Sequence, residues 1–269
     1  FGKPASFAAL PLPERGSPEL FWKDFRRFLF ETECGYVRRM RSYLREKVGV
    51  TAPIVDTQAS YGGLYGFMRE TRLSDYVDMH SYWQHPVFPN RPWDGKDWRI
   101  GNTPLSAVSN GGTLSSLSRW RHPDMPYSLS EYDHATPSEH QSEMFPMLSS
   151  YAAYQDWDAL YQFCWEIQDT PDTPARLKGY FDMAYNPAKS LMAPFAALVF
   201  RRGLVAPAVE QVTLEIPEGL LESRLPFGFP GPGSALDGYP ESALFTARLG
   251  TRVVPGDGPV RVSKSSEAI

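Results

Sequence analysis

The chain has 269 residues, of which 42% are hydrophobic and 22% charged, and these are ordinary values for a globular protein. A formal net charge of −4 argues against a nucleic-acid partner, because such partners require a basic surface. Cys34 and Cys164 are too few and too far apart for a disulfide framework or a cysteine metal site. No apolar run reaches membrane-spanning length. The Asp and His residues lack metal-ligand spacing, so we expect neither a metal nor another cofactor.

Short apolar segments alternate with amphipathic ones along the first 200 residues. A helix is predicted after the Ser17-Pro18-Glu19 start signal, and Gly49 closes it. Strands are predicted over 52–57, 76–82, 126–130 and 159–165, and helices over 113–120, 137–156 and 187–202. Segments 61–72 and 83–112 are predicted as loops. Alternating strands and helices favour parallel βα units.

Four such strands are half of what a closed barrel requires, since that fold has eight strands and about 250 residues. The chain therefore fits either an open α/β sheet or the second half of a (β/α)8 TIM barrel, over residues 1–204. The pattern changes in residues 205–269, where strands over 212–216 and 243–254 flank a Pro- and Gly-rich stretch at 226–240. We expect that region to be part of a β-rich C-terminal domain.

Three residues at predicted strand ends have the chemistry of a catalytic site. Glu131 follows a short apolar strand, the position at which barrel enzymes present catalytic groups. His80 and Tyr82 alternate along an earlier strand, so they face the same side. On position alone, a surface Glu in a turn and an ordinary core His explain these residues about equally well.

Aromatic and polar residues near these strand ends have the composition of a sugar-binding site, in which rings stack on apolar sugar faces. Packing in the core or within the long loop is the alternative explanation for each ring. The candidate substrate-binding residues are His80, Trp83, His85, Trp93, Asn102, Tyr132, His134 and Trp165.

Three segments together resemble bacterial cellulase-like glycoside hydrolases of the retaining (β/α)8-barrel clan. They are Tyr76-Val-Asp-Met-His-Ser-Tyr-Trp-Gln-His-Pro86, Ser130-Glu-Tyr-Asp-His134 and Tyr154-Gln-Asp-Trp-Asp158, within a resemblance that covers about 18–205. The resemblance implies that the four strands are the fifth to eighth of a barrel. It also implies that Glu131 is the nucleophile, Tyr82 its hydrogen-bond partner and Trp165 the floor of a sugar subsite.

The chain departs from that clan in one respect. The clan's acid/base is a Glu that follows an Asn at the end of the fourth strand, and no Asn-Glu pair occurs in this sequence. The resemblance places that pair before Phe1, in a missing N-terminal half of the barrel, so we expect the chain to be an inactive fragment.

Three functions remain open at this point. The favoured one is a retaining glycosidase that acts on β-linked oligo- or polysaccharides. The second is a non-catalytic carbohydrate-binding protein on a degenerate barrel. The third is an unrelated α/β hydrolase or transferase, against which the chain has no nucleophile elbow, phosphate-binding glycine loop or zinc motif.

Overall fold

The computed structural model describes residues 12–14, 16–167, 177, 179–223 and 242–266. They form a mixed α/β structure with two three-stranded sheets. The first sheet is parallel and contains β1 (Val77–Trp83), β2 (Tyr127–His134) and β3 (Ala159–Gln162) in that order. In the second sheet, β4 (Glu210–Pro217) lies between β5 (Arg248–Val254), to which it is parallel, and β6 (Arg261–Ser266), to which it is antiparallel.

Eight α-helices accompany these strands in the described residues. They are α1 (Glu19–Tyr43), α2 (Leu64–Leu73), α3 (Gly112–Arg119), α4 (Met144–Tyr154), α5 (Pro187–Ser190), α6 (Ala193–Arg201), α7 (Glu218–Ser223) and α8 (Ala243–Thr246). None of the helices in this part of the chain combines the length and hydrophobicity needed to cross a bilayer.

The two faces of the parallel sheet differ in chemistry. Val77, Met79 and Leu129 belong to the main hydrophobic core, to which α2, α3, α4 and α6 contribute side chains. The alternating residues of the same strands, such as Asp78 and His80, project to the other face, because successive side chains of a strand point to opposite sides. The polar face carries His80 and Tyr82 of β1 and Glu131 of β2.

The first helix is observed where the sequence predicts it. It continues from α1 through a π-helical turn at Leu44–Val48 and ends at Gly49, whose φ of 79° is the left-handed conformation that glycine adopts easily. Its predicted apolar stripe is only partly buried, however. Phe28, Tyr36 and Tyr43 are exposed, and Cys34 is the one buried residue of α1.

The strand predicted over 52–57 is wrong. Two backbone hydrogen bonds lie near this segment, from the Asp75 N–H just before β1 to Ile54 and from the Ala59 N–H just after the segment to Asp78, so neither joins the segment itself to β1. Pro53 has no N–H to donate, and the Asp75 carboxylate accepts from the N–H of Ile54 at 2.7 Å, so no regular ladder forms.

The loop predicted over 61–72 is mostly helix α2, which supplies Phe67 to the main core. Two predicted helices are also shorter than expected. The one over 137–156 begins at Met144, because the backbone before it is tied to a loop through the Glu139 N–H and Asn102 Oδ1. The one over 187–202 is split into α5 and α6, since Pro194 lacks the N–H needed for a continuous helix.

The C-terminal β region is observed with two differences from the prediction. The segment 243–254 begins with helix α8 and becomes strand β5 only at Arg248. Strand β6 was not predicted, because its polar sequence has no apolar alternation. The Pro- and Gly-rich stretch at 226–240 lies outside the described residues.

The first, parallel sheet has three strands rather than the four expected, and within the described residues it does not close into a barrel. The fold established here is therefore mixed α/β with one parallel sheet and one mixed sheet. The boundary predicted at residue 204 stays a prediction, although it falls between α6 and β4.

Candidate functional site

A β-bulge in β2 places two consecutive polar residues on one face of the sheet. Met79 pairs with Leu129 and His80 pairs with Glu131, so Ser130 is an extra residue in the ladder. Bulges of this kind re-aim side chains and are common next to active sites. As a result, Ser130 and Glu131 both reach the side chains of β1 that lie on the polar face.

Glu131 is held by the phenol of Tyr82. The Tyr82 hydroxyl donates a hydrogen bond to Glu131 Oε2, and the Glu131 side chain is 30% exposed. Burial first, and then the hydrogen bond to Glu131, raise the pKa of Tyr82 far above its ordinary value. The phenol therefore stays protonated and remains a donor, while Glu131 stays accessible to a ligand.

His80 lies between two carboxylates. Its Nδ1 is 3.3 Å from Glu131 Oε2, and its Nε2 is 3.5 Å from Asp78 Oδ2 and 2.7 Å from Ser130 Oγ. Because the Ser130 hydroxyl donates to Asp78, its oxygen accepts the proton of His80 Nε2. In the neutral ring, Nδ1 accepts from the Gln58 amide at 3.2 Å.

Asp78 holds Ser130, and through it His80, in position. Its carboxylate accepts from the hydroxyls of Ser128 and Ser130, and its N–H donates to Glu70 Oε2 at 3.1 Å. A continuous chain of hydrogen bonds thus leads from buried Glu70 through Asp78 and Ser130 to His80. This chain fixes the imidazole that faces Glu131.

A cleft of about 380 Å³ opens above Glu131. Its walls are mainly aromatic: the Tyr82 ring stacks on Phe181 at 4.4 Å between centroids and 27° between planes, and His85 meets Tyr82 edge-on at 5.3 Å. Among the described residues that line the cleft, Glu131 is the only carboxylate. The lining residues are Gln58, Tyr61, His80, Tyr82, His85, Trp93, Glu131, Phe163, Ile167, Tyr180 and Phe181.

The structure brings together five of the residues predicted from the sequence, namely His80, Tyr82, His85, Trp93 and Glu131. Trp93 is 68% exposed, and its ring lies 5.8 Å from that of His85. The cleft therefore offers a carboxylate, an imidazole and exposed aromatic surface within one opening.

Three other predicted residues lie away from this cleft, on the core side of the sheet. Tyr132 is fully buried, and its hydroxyl contacts Thr113 Oγ1 and His134 Nε2, each at 3.1 Å. Burial lowers the pKa of His134 to about 3, so this imidazole is neutral. Trp83 packs against the main core and donates its indole N–H to the Thr103 carbonyl at 2.8 Å.

Two further predicted residues also lie outside the cleft lining. Asn102 Oδ1 accepts from the N–H of Glu139 at 2.9 Å, so its amide joins two loops. Trp165 is 64% exposed, and its carbonyl accepts from the N–H groups of Met183 and Ala184. The substrate-binding roles given to these two residues stay predictions.

A buried ion pair that the sequence analysis missed lies beyond Glu131 on β2. Asp133 Oδ1 is 2.7 Å from Lys189 Nζ on α5, and both side chains are completely buried. Gln162 Nε2 donates to the other Asp133 oxygen at 2.9 Å. Burial raises the pKa of Asp133 to about 7 although the Lys189 charge opposes that shift. The pair ties β2 to β3 and α5 beside the cleft.

The sequence analysis also missed several cleft residues. Gln58 follows a segment predicted as a strand, so the rule that places active sites at strand ends could have found it. Phe163 directly follows β3 and could have been found in the same way. Tyr180 and Phe181 lie in a loop far along the chain with no local signal. Phe181 is held by its carbonyl, which accepts from the Cys164 N–H at 3.2 Å.

Comparison of the chain with protein-family models, with curated proteins and with solved structures found no match. Within the described part of the chain, no three His, Cys, Asp or Glu residues come together as a candidate metal site. The functional argument therefore rests on the geometry around Glu131.

Proposed function

We propose that this chain carries the nucleophile side of a retaining glycoside hydrolase site that acts on β-linked oligo- or polysaccharides. The observation that carries the proposal is Glu131. Its part-exposed carboxylate accepts a hydrogen bond from the Tyr82 hydroxyl and faces His80 in an aromatic cleft. A fixed carboxylate with one side open is what attack on an anomeric carbon requires.

The arrangement of the parallel sheet supports the same proposal. Glu131 lies in the second half of β2, and the main core lies on the opposite face of the sheet. We assign β1, β2 and β3 to the sixth, seventh and eighth strands of a (β/α)8 barrel. The polar face would then be the inner face of that barrel, and Glu131 would lie towards its carboxyl end, where catalytic groups of such barrels are found.

The aromatic walls favour a sugar as the ligand. Sugars present flat apolar faces edged by hydroxyls, and they bind by stacking on rings with a few polar contacts. Trp93 and Tyr61 are exposed at the cleft, and Gln58 and His80 supply polar atoms there. Such a site matches a neutral carbohydrate better than a charged metabolite.

The chemistry would proceed by double displacement. Glu131 Oε attacks the anomeric carbon, the glycosidic C–O bond breaks with its electron pair on the leaving oxygen, and a second carboxyl group protonates that oxygen. The two carboxyls of retaining enzymes lie about 5–5.5 Å apart. Since Glu131 is the only carboxylate among the described cleft residues, the proton donor of this mechanism would be a carboxyl group outside them.

A second candidate function is carbohydrate binding without hydrolysis. The single carboxylate in the described cleft lining favours it, because one carboxyl group alone completes no double displacement on an ordinary glycoside. Here Glu131 would accept hydrogen bonds from sugar hydroxyls instead of attacking carbon.

Glycosides with a good leaving group distinguish the hydrolase function from carbohydrate binding without hydrolysis. Dinitrophenolate leaves as a stable anion and needs no proton, so Glu131 can form the glycosyl intermediate from dinitrophenyl β-glycosides even in a chain that is inactive on ordinary glycosides for lack of an acid/base residue. We expect incubation with the glucoside, galactoside, mannoside and cellobioside to add one glycosyl group, which intact-mass measurement and peptide mapping locate on Glu131. Azide, which needs no general base, should then release the group as a β-glycosyl azide.

Matched variants complete the experiment. Glu131→Gln should form no adduct and retain sugar binding, whereas Glu166→Gln, which changes a carboxyl group outside the cleft lining, should react like the wild type. Sugar binding without any adduct would favour the non-catalytic function. Absence of both binding and adduct, or an adduct on another residue, would refute the proposal.

A further inference from the structure

A second cleft, of about 420 Å³, lies between the mixed sheet and the loops that precede β2 and β3. Four cationic side chains line it: Arg121, Arg248, Arg252 and Lys264. Arg121 precedes β2, whereas the other three belong to β5 and β6. The cleft therefore gathers positive charge from both sheets.

Two of these arginines are buried and share one carboxylate. The side chains of Arg121 and Arg248 are each 5% exposed, and both contact Asp156 Oδ2, at 2.9 Å and 3.2 Å respectively. Burial lowers the pKa of Arg121, and the charge of Arg248 lowers it further against the attraction of Asp156. Asp156 supplies one negative charge to two guanidinium groups, and Asp158 adds a further attraction to Arg121.

The guanidinium groups also have unused hydrogen-bond donors. Nε and Nη2 of Arg248, and Nε of Arg252, are buried and have no hydrogen-bond partner within the described residues. Unpaired buried donors are costly and are rare in native structures. These donors belong to side chains that line the cleft, and a bound acceptor with several oxygen atoms would satisfy them once the arginines turn towards it.

The charge balance specifies that acceptor further. Besides the four cations, the described cleft lining contains two carboxylates, Asp156 and Asp124, the latter 2.6 Å from Arg252. The described lining itself therefore carries two more positive than negative charges. A phosphate group near neutral pH carries close to two negative charges and several acceptor oxygens, and guanidinium groups bind it in a two-point geometry.

We propose that this cleft binds a phosphate group, either as inorganic phosphate or as the phosphate of a small monoester. The site is separate from the Glu131 cleft, because it adjoins the amino ends of β2 and β3 whereas Glu131 lies towards the carboxyl end of β2. Bound phosphate would join Arg121, before the parallel sheet, to Arg248 and Lys264 of the mixed sheet. Occupancy is therefore expected to stabilise the packing of the two sheets.

Calorimetric titration and thermal denaturation of the full chain test this proposal. Inorganic phosphate and glycerol phosphate are compared with sodium chloride at equal ionic strength, and with glycerol as the uncharged control. We expect saturable binding and a rise in melting temperature beyond that in chloride. Binding of both compounds indicates that the inorganic ion is sufficient, whereas binding of glycerol phosphate alone indicates a monoester ligand.

Variants locate the site. Lys264→Gln, at an exposed position of the cleft, should weaken phosphate binding about tenfold, and Arg248→Gln should weaken it further. Lys47→Gln, an exposed lysine in the turn after α1, should leave binding unchanged. If Arg248→Gln does not fold, the double variant Arg252→Gln, Lys264→Gln replaces it. No shift beyond chloride, or equal binding by the cleft variants and the wild type, would overturn the proposal.

Discussion

Glu70 is a buried carboxyl group whose replacement by glutamine should stabilise the protein increasingly as the pH rises. The residue lies on α2 with no exposed surface, and its Oε2 accepts the N–H of Asp78 at 3.1 Å. Burial raises the pKa of Glu70 to about 10, and although the Asp78 N–H opposes that shift, the Asp56 carboxylate adds to it. Glutamine keeps an oxygen for the Asp78 N–H and cannot ionise.

The size of the effect follows from the two pKa values. The ordinary value is 4.5 and the folded value is about 10, so the folded state binds the proton more tightly than the unfolded state does. The resulting stabilisation is fully present below pH 4.5 and is lost as the pH rises towards 10. Each pH unit in this window changes the unfolding equilibrium constant tenfold. Between pH 6 and pH 8 the wild type therefore loses about 3 kcal/mol that the Glu70→Gln variant retains.

Urea denaturation of the wild type and of Glu70→Gln at pH 6, 7 and 8 measures this difference. The difference in free energy of unfolding should widen steadily with pH in favour of the variant. Glu46→Gln, at an exposed position in the turn after α1, serves as the control and should follow the wild type at every pH. A difference that stays constant from pH 6 to pH 8 would show that Glu70 does not hold its proton in the folded state.

Four further predictions concern the Glu131 cleft, the buried ion pair beside it and two helix glycines. Tyr82→Phe should slow formation of the glycosyl adduct tenfold or more, since a hydrogen bond to a charged group contributes about 1.5–3 kcal/mol; an unchanged rate measured by mass spectrometry would contradict this. Lys189→Met should reduce the free energy of unfolding by about 3 kcal/mol at pH 8 and by less at pH 5, where Asp133 is protonated; equal losses in urea titrations at both pH values would refute it. Gly66→Ala should destabilise the fold by about 3 kcal/mol, because its Cβ would lie 1.9 Å from a backbone carbonyl oxygen of the preceding loop. Gly35→Ala, whose added Cβ meets no atom within 4 Å, should instead stabilise α1 by up to about 1 kcal/mol. Thermal denaturation of both variants measures these effects, and a destabilised Gly35→Ala or an unchanged Gly66→Ala would contradict them.

Local sequence was sufficient to find the centre of the candidate site. His80 and Tyr82 are two residues apart, so strand alternation alone places them on the same face. Glu131 follows a short apolar run. In the structure it lies on β2, next to β1, and accepts a hydrogen bond from the Tyr82 hydroxyl. The face on which residues of one strand lie can be predicted without knowledge of the rest of the fold.

Strand alternation also separates some of the predicted sugar-binding residues from the cleft. Tyr132 and Glu131 are consecutive, as are Trp83 and Tyr82, so the members of each pair point to opposite faces of the sheet. Composition had favoured Tyr132 and Trp83 as sugar-binding residues, yet both lie on the core side. The period of two would have separated them from the cleft.

The sequence by itself determined the long first helix up to Gly49, the three strands of the parallel sheet and the shared face of His80 and Tyr82, since each depends on periodicity within a short segment. Only the tertiary structure decided the bulge at Ser130, because a bulge is defined by the register of one strand against another. It also decided the contact of Phe181 with Tyr82 and the joining of Arg121 to Arg248, each of which connects residues about a hundred positions or more apart. Such contacts depend on packing and charge balance between segments, which no local pattern records.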